Sequence, residues 1–327
     1  FGSSKVVVLD GQGNLLRRIP TGPGPAALGL AGDRLYVLER FGSDLAWIDL
    51  DTDAVDRTSL GFDPTPTDVR DGRAIFYDAS NSMYGDVSCA TCHLFGGMDN
   101  ISWDLGDPTG QMVPPPPGAD PLNQIPDFHP MKGPMATQSL KGLSGTEPLH
   151  WRGDKATLAD FNGAFTSLLG ADAQLGPGEM ALFESFVFSM RYPPNPFREL
   201  DGSLPASLNG ADPVSGEQLY LTGNLVGGLD CVSCHALPTG ENGLIIPANA
   251  LQEDEAKVVP QLRNLYEKTR FDDQAATNVR GFGFTHDGAV DDLSTFLEFP
   301  GFTFGSVSDQ RDVEAFLLAF DTGTHPG

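Results

Sequence analysis

Two short cysteine motifs constrain this chain more than any other feature. Residues 89–93 read CATCH and residues 231–235 read CVSCH. C-x-x-C-H is the attachment signature of c-type haem, in which both thiols bond the porphyrin and the histidine ligates the iron. A segment that carries this signature has to leave room for a haem beside its cysteines and its histidine.

Other chemistries also use paired cysteines, notably redox dithiols and zinc sites. The chain has four cysteines, and all of them lie in the two motifs, each of which ends in histidine. A four-cysteine zinc site needs no histidine after each pair, and a redox dithiol needs no second copy. The sequence therefore predicts two covalently bound haem c groups and no disulfide. Their attachment residues are Cys89, Cys92, His93, Cys231, Cys234 and His235.

Charge and hydropathy limit the location and the partners of the chain. The formal net charge is −24, which argues against nucleic acid and is typical either of an acidic solvated surface or of a protein with a cationic or neutral redox partner. No apolar run is long enough to cross a bilayer. Haem is attached to this signature on the outer side of the bacterial inner membrane, so we expect a periplasmic or extracellular protein that has lost an export signal.

Short β-rich runs separated by turn residues occupy residues 5 to about 60, among them VVVL at 6–9, RLYVL at 34–38 and LAWID at 45–49. These runs resemble the YVTN-type β-propeller repeat over about one and a half blades. A propeller closes only through several blades, and so small a sheet is marginally stable alone. We therefore expect either a fragment of a longer chain or a subunit whose sheet is completed by other strands.

Beyond residue 71 the pattern changes to helix and loop, and it repeats. Residues 72–77 and residues 216–221 each open a predicted helix before a haem motif, and a constant offset aligns Trp151 with His286. The same offset relates Gly153, Leu158 and Phe161 to Gly288, Leu293 and Phe296. The predicted fold is mainly α, with two tandem class-I-like cytochrome c domains after a short antiparallel β segment. The predicted boundaries are 1–68, 69–192 and 193–327, and the proline-rich stretch 114–126 is expected to be a surface excursion.

The order of further motifs resembles the bacterial di-haem cytochrome c peroxidase superfamily. These motifs are Gly96-Gly97-x-Asp99-Asn100, His129-x-x-Lys132-Gly133-Pro134, Trp151-x-Gly153, Glu179-Met180, Leu262-Arg263-Asn264 and His286-Asp287-Gly288. The resemblance covers most of residues 71–320. It implies that one haem is a peroxidatic centre and that the other takes electrons from a small donor protein.

The resemblance also implies roles for residues near the first haem. His129 corresponds to the sixth iron ligand, with His150 as its rival or as a partner of a haem propionate. Trp151 corresponds to a tryptophan that assists electron transfer between the haems, although a core aromatic would look the same in sequence. Glu179 corresponds to a carboxylate that moves a proton during peroxide cleavage, but an acid in the first turn of a helix is the interpretation that its neighbours favour.

The second haem departs from the family pattern. Pro300 stands where the family has a methionine ligand, and no methionine follows Met190. The sixth ligand is then His286, His325, a residue from elsewhere, or absent, and His286 is the best local candidate. Arg263 is expected to pair with a propionate, with a solvated surface arginine as the alternative. The family's calcium is the further cofactor, yet Ala136 stands where a side-chain ligand is expected.

Two functions follow from these patterns. The first is a di-haem c-type cytochrome that transfers electrons to or from a small redox protein or another cytochrome, with peroxidase-like reduction of hydrogen peroxide as an added activity. The alternative is a pure electron carrier or assembly subunit with two six-coordinate haems and no catalysis. The sequence leaves open whether the chain is an enzyme.

Overall fold

The computed structural model describes residues 2–269 and 283–325. The chain forms two compact units, each built from two separated stretches. Unit 1 consists of Phe1–Gly96 and Ala159–Ser189, and unit 2 consists of Gly97–Leu158 and Met190–Gly327. The predicted boundaries after residues 68 and 192 stay a prediction.

Unit 1 opens with antiparallel β structure. Strands β1 (Lys5–Leu9) and β2 (Leu15–Pro20) form a hairpin. Strands β3 (Pro25–Ala31), β4 (Arg34–Glu39), β5 (Asp44–Asp49) and β6 (Val55–Ser59) form a meander in chain order. Their buried side chains are Val6, Ile19, Val37, Ala46 and Ile48. Residues 5–59 form one hairpin and one meander, and no propeller is shown.

A close helix crossing forms the rest of the unit 1 core. The helices of this unit are α1 (Thr67–Tyr77), α2 (Cys89–Cys92), α3 (Ala164–Ser167) and α4 (Pro177–Ser189). A Cβ on Gly72 of α1 would lie 1.8 Å from the carbonyl oxygen of Leu182 in α4, so only glycine permits this approach. One turn later the Phe76 ring packs 5.3 Å from the Phe186 ring, centroid to centroid.

Unit 2 repeats this crossing with different residues. Its helices are α5 (Pro213–Thr222), α6 (Ala248–Leu251), α7 (Leu293–Leu297) and α8 (Val307–Leu318). A Cβ on Gly216 of α5 would lie 1.9 Å from the carbonyl oxygen of Asp312 in α8. The Tyr220 ring packs 5.1 Å from the Phe316 ring. In each unit a helix that carries a buried glycine leads into the haem motif.

Short elements complete the structure. Unit 2 contains the antiparallel pair β7 (Ser102–Asp104) and β8 (Pro134–Ala136), and the pair β9 (Ile245–Ile246) and β10 (Lys257–Val258). Single 3₁₀ turns lie at Ala79–Asn81, Leu94–Gly96, Leu158–Phe161, Cys231–Ser233 and Leu265–Glu267. No helix within the described residues is both long enough and apolar enough to cross a membrane.

The prediction of a mainly α fold is wrong, because helix makes up 25% of the structure and strand 18%. Long connections replace the expected helices, and aspartate side chains bond the backbone within them. The Asp120 carboxylate, for example, accepts the N–H groups of Gln124 and Ile125 at 3.0 and 2.8 Å. Such bonds give the backbone an alternative to helix. The proline-rich stretch is also more than a surface excursion, since Ile125 and the neighbouring Phe128 are buried in a small core.

Candidate haem sites

The first haem motif folds as a single helical turn, α2. The N–H of His93 donates to the carbonyl of Cys89 at 2.9 Å, and the N–H of Ser88 donates to the Thr91 hydroxyl at 3.0 Å, which closes the start of the turn. Side chains three and four positions apart share one face of a helix. Cys89, Cys92 and His93 therefore project from the same face, as attachment to one haem requires.

The second haem motif makes the same turn. The N–H of His235 donates to the carbonyl of Cys231 at 2.8 Å, and the N–H of Cys234 donates to the same carbonyl at 3.2 Å. The two thiols and the imidazole again share one face. Cys231 packs against the hydrophobic core of unit 2, so the attachment face borders apolar side chains at this position.

The ring of His235 is held by the backbone. Its Nδ1 lies 2.7 Å from the carbonyl oxygen of Gly240, which assigns the ring proton to Nδ1 and gives Nε2 the lone pair. A Cβ on Gly240 would lie 2.7 Å from the Leu262 Cβ, and its φ is +79°, so glycine alone brings this carbonyl to the ring. Burial lowers the pKa of His235, although the carbonyls of Gly240 and Pro260 act to raise it. A neutral, oriented imidazole of this kind is suited to iron ligation.

The cysteines do not have the properties of redox thiols. Burial raises the pKa of Cys89 to about 12 and that of Cys231 to about 11. A redox dithiol depends instead on a thiolate at neutral pH. The four cysteines form no disulfide with one another. No group of three or more His, Cys, Asp or Glu residues that could hold a metal ion occurs in the described part of the chain. The raised thiol pKa values of Cys89 and Cys231 thus do not suit dithiol chemistry.

A cleft of about 440 Å³ lies beside the first motif in unit 1. Ala90, Thr91, Leu94 and Phe95 contribute to its walls. Ala90 and Thr91 occupy the two positions between the cysteines, which face away from Cys89, Cys92 and His93 on a helical turn. The cleft therefore lies behind the attachment face and is not the haem crevice.

The histidines proposed as sixth ligands have separate surroundings. His129 is exposed in a loop, where its Nδ1 accepts the N–H of Met131 at 3.1 Å. His286 has its Nδ1 3.3 Å from the Glu253 carboxylate. His325 is exposed near the end of the described chain. Nothing in these contacts selects one of them as an iron ligand, so the sixth ligands stay predictions.

His150 belongs to a buried charge network that the sequence did not reveal. Its Nδ1 lies 2.5 Å from Asp154 Oδ1, and its Nε2 lies 3.2 Å from Lys132 Nζ. Asp154 is also 3.4 Å from Arg152 and 3.5 Å from Lys155. Both ring nitrogens of His150 are thus engaged in this network. In the sequence, the four-residue spacing from His150 to Asp154 is the feature that could have indicated this contact.

Burial and charge pairing shift the pKa of Asp154 in opposite directions. Burial raises the pKa of the Asp154 carboxyl, but the hydrogen bond from His150 and the charges of His150, Arg152 and Lys155 outweigh it and lower the pKa well below its usual range. Burial lowers the pKa of His150 and that of Lys132. Asp154 is therefore a carboxylate at neutral pH, and it orients the imidazole.

Trp151 is buried, and its Nε1 donates to the carbonyl of Ala136 at 2.7 Å. The ammonium of Lys268 lies 5.4 Å from the centroid of its ring. Sequence reasoning missed Lys268, which has no motif around it. A role of Trp151 in electron transfer stays a prediction.

Glu179 and Arg263 have structural partners. Glu179 is exposed in the first turn of α4, where its carboxylate accepts the N–H of Gly176 at 2.9 Å. This is the helix-start role that its sequence neighbours favoured. Arg263 donates from Nη2 to the carbonyl of Gly142, and from Nε to Gln261 at 2.9 Å. Its predicted pairing with a propionate is not tested by these contacts.

Calcium does not fit the cavity beside Ala136. Calcium takes six to eight oxygen ligands, usually with carboxylates among them. No aspartate or glutamate is among the described residues that line this cavity. The lining does include Lys268, a cationic residue.

Comparison with known proteins yields a likeness of fold. No protein-family model matches the chain, and no curated protein matches it. A chain of the hydrazine synthase of Kuenenia stuttgartiensis superposes with a TM-score of 0.55 at 17% identity, covering 79% of this chain and 88% of that one. The diheme peroxidase BthA of Burkholderia thailandensis gives a TM-score of 0.47 at 15% identity, covering 82% and 89%. The first likeness shows a shared fold, and the second is too distant to carry an argument.

Proposed function

We propose that this protein is a di-haem c-type cytochrome whose secure role is electron transfer. The observation that carries the proposal is a backbone hydrogen bond that the turns of both haem motifs share. In each, the histidine N–H bonds the carbonyl of the first cysteine, at 2.9 Å for His93 and 2.8 Å for His235. A chain that uses cysteine nowhere else, and folds both motifs in this way, is built to hold two haems.

Further support comes from the surroundings of the second motif. The Gly240 carbonyl orients His235, and the raised thiol pKa values of Cys89 and Cys231 argue against a redox dithiol. Haem iron, when bound, supplies reversible one-electron chemistry. The residues of this chain anchor the porphyrin through thioethers, orient the proximal imidazole and surround Cys231 with apolar side chains.

The proposal includes a location and a partner. Haem c attachment takes place outside the bacterial inner membrane, so we place the protein in the periplasm or at the cell surface. A small redox protein or another cytochrome would exchange electrons with it. The net charge of −24 favours a partner with a basic surface.

Peroxide reduction is the second candidate activity, and the order of the sequence motifs favours it. It would require one haem with an openable distal position and a proton-transferring group beside it. Glu179 corresponds to the proton-transferring carboxylate of the family, but here it accepts the N–H of Gly176 at the start of α4. A carrier with two six-coordinate haems requires neither feature, so electron transfer is the simpler function.

Optical spectra of the purified holoprotein separate these activities. For a pure carrier we expect low-spin, six-coordinate haem in both redox states and a Soret band that hydrogen peroxide leaves unchanged. A high-spin haem that shifts with peroxide, together with loss of turnover in Glu179→Gln, would establish peroxidase chemistry. Glu184→Gln, on the same helix, is the matched control. Absence of any haem spectrum would refute both functions.

A further inference from the structure

A small polar cavity lies inside unit 2, next to Trp151. Its volume is about 40 Å³. A cavity holds a water molecule once it offers roughly 10–15 Å³ of probe-occupied volume. This one therefore has room for a few waters or for one small ion. Uncharged polar side chains, those of Asn100, Gln138 and Asn264, contribute to its lining.

Lys268 brings a buried positive charge to this cavity. The residue is 9% exposed, and Gly283 packs so closely on its backbone that a Cβ there would lie 2.0 Å from the Lys268 carbonyl oxygen. Its ammonium lies 5.4 Å from the centroid of the Trp151 ring. A cation over an aromatic face is stabilised, but the ring carries no compensating charge.

No carboxylate within the described part of the chain pairs with this ammonium. The charge of Glu267 opposes the effect of burial on the pKa of Lys268, but the Glu267 carboxylate is itself bound to Lys141 at 3.1 Å. Burial lowers the pKa of Lys268 to about 8, so the amine is still largely protonated at neutral pH. Buried charges in proteins are normally paired, because an unpaired charge in a low-dielectric site costs several kcal/mol.

We infer that this cavity is a binding site for one small monovalent anion, which serves as the counter-ion of Lys268 beneath Trp151. The ammonium supplies the charge, and Asn100, Gln138 and Asn264 are the residues with uncharged amide side chains in the lining. The size of the cavity restricts the occupant to a halide or an ion of similar size. The positive charge excludes a divalent cation.

Bromide is the probe, because it can be located directly in crystals. Holoprotein crystals soaked in sodium bromide should show an anomalous peak in the cavity within hydrogen-bond distance of Lys268 Nζ. In solution at constant ionic strength, Tm should rise by about 2 °C for each tenfold increase in bromide above half-saturation. Lys268→Met should abolish both effects, and Lys268→Arg should retain part of the Tm dependence.

Lys257→Met is the matched control. Lys257 is also buried, at 7% exposure, but it is paired with Glu255 at 3.0 Å, so its loss should leave the bromide dependence intact. The Soret band, monitored in parallel, separates binding in the cavity from binding at a haem iron. Wild-type crystals without a peak in the cavity, combined with a Tm that depends on bromide equally in wild type and Lys268→Met, would overturn the inference.

Discussion

At the scale of single residues, the chemistry of each side chain depends on the groups that bind and orient it. The sequence was sufficient to predict the six attachment residues, because their spacing alone places the three residues of each motif on one face of a turn. It was not sufficient for Gly240, Asp154 or Lys268. Gly240 and Asp154 lie only five and four positions from His235 and His150, but their carbonyl and carboxylate reach the imidazoles through turn geometry that the sequence did not specify. Lys268 meets Trp151 through tertiary folding, which no local pattern encodes.

The Gly240 carbonyl gives a test at this scale. Gly240→Ala places a methyl group 2.7 Å from the Leu262 Cβ at a φ of +79°, so the backbone has to move and loosen its bond to His235. We expect a loss of about 1–3 kcal/mol in unfolding free energy and a changed midpoint potential of the second haem. Gly210→Ala is the control, because Gly210 has a similar φ of +82° but nothing within 4 Å of the added Cβ. An equal effect of both variants would contradict the proposed role of the Gly240 carbonyl in orienting His235.

The Asp154 carboxylate gives a second test. Its pKa is lowered in the folded state, so its stabilisation is complete above the unfolded pKa of about 3.9 and is lost as pH falls through the folded value. Asp154→Asn should cost about 3–5 kcal/mol at pH 7, as expected for breaking a buried pair. The stability curves of wild type and variant should begin to converge only below about pH 4, as measured by urea unfolding between about pH 7 and pH 2. Glu255→Gln, which alters a more exposed partner of Arg152, should cost less.

At the scale of elements, the sequence predicted the strands β1, β4 and β5 and missed how few helices there are. Short β-rich runs between turn residues located two strands of the meander, but β3 and β6 were missed. The helices before both haem motifs were also predicted, but they begin earlier than the glycines, at Thr67 and Pro213. The mainly α prediction failed because proline-rich and aspartate-bonded loops fill much of residues 97–176, and only folding decides how such loops are packed.

The two helix crossings are the elements most sensitive to substitution. Gly72→Ala and Gly216→Ala would place a Cβ 1.8 and 1.9 Å from a carbonyl oxygen of the facing helix. We expect each to lower the unfolding free energy by about 3 kcal/mol, at the upper end of overpacking effects. Gly178→Ala, in the first turn of α4 with nothing within 4 Å of the new Cβ, should be neutral or slightly stabilising. Chemical denaturation of the three variants checks this order, and equal stabilities would contradict it.

At the scale of the whole molecule, charge is the property that sequence alone establishes. With 44 acidic and 20 basic residues, the protein should attract basic partners at long range. Electron transfer from a small basic cytochrome should therefore slow by tenfold or more as ionic strength rises from about 10 to 200 mM. Stopped-flow reduction kinetics measure this, with an acidic donor of similar potential as the control. A rate independent of salt would argue against electrostatic docking.

The central claim is that both motifs carry covalently bound haem. Intact-mass spectrometry of the denatured protein, expressed with a c-type haem attachment system, tests it most directly. The account predicts a mass equal to the chain plus two haems, falling by one haem when Cys89 and Cys92, or Cys231 and Cys234, are replaced by serine. A wild-type mass equal to the chain alone, or unchanged by these replacements, would contradict it.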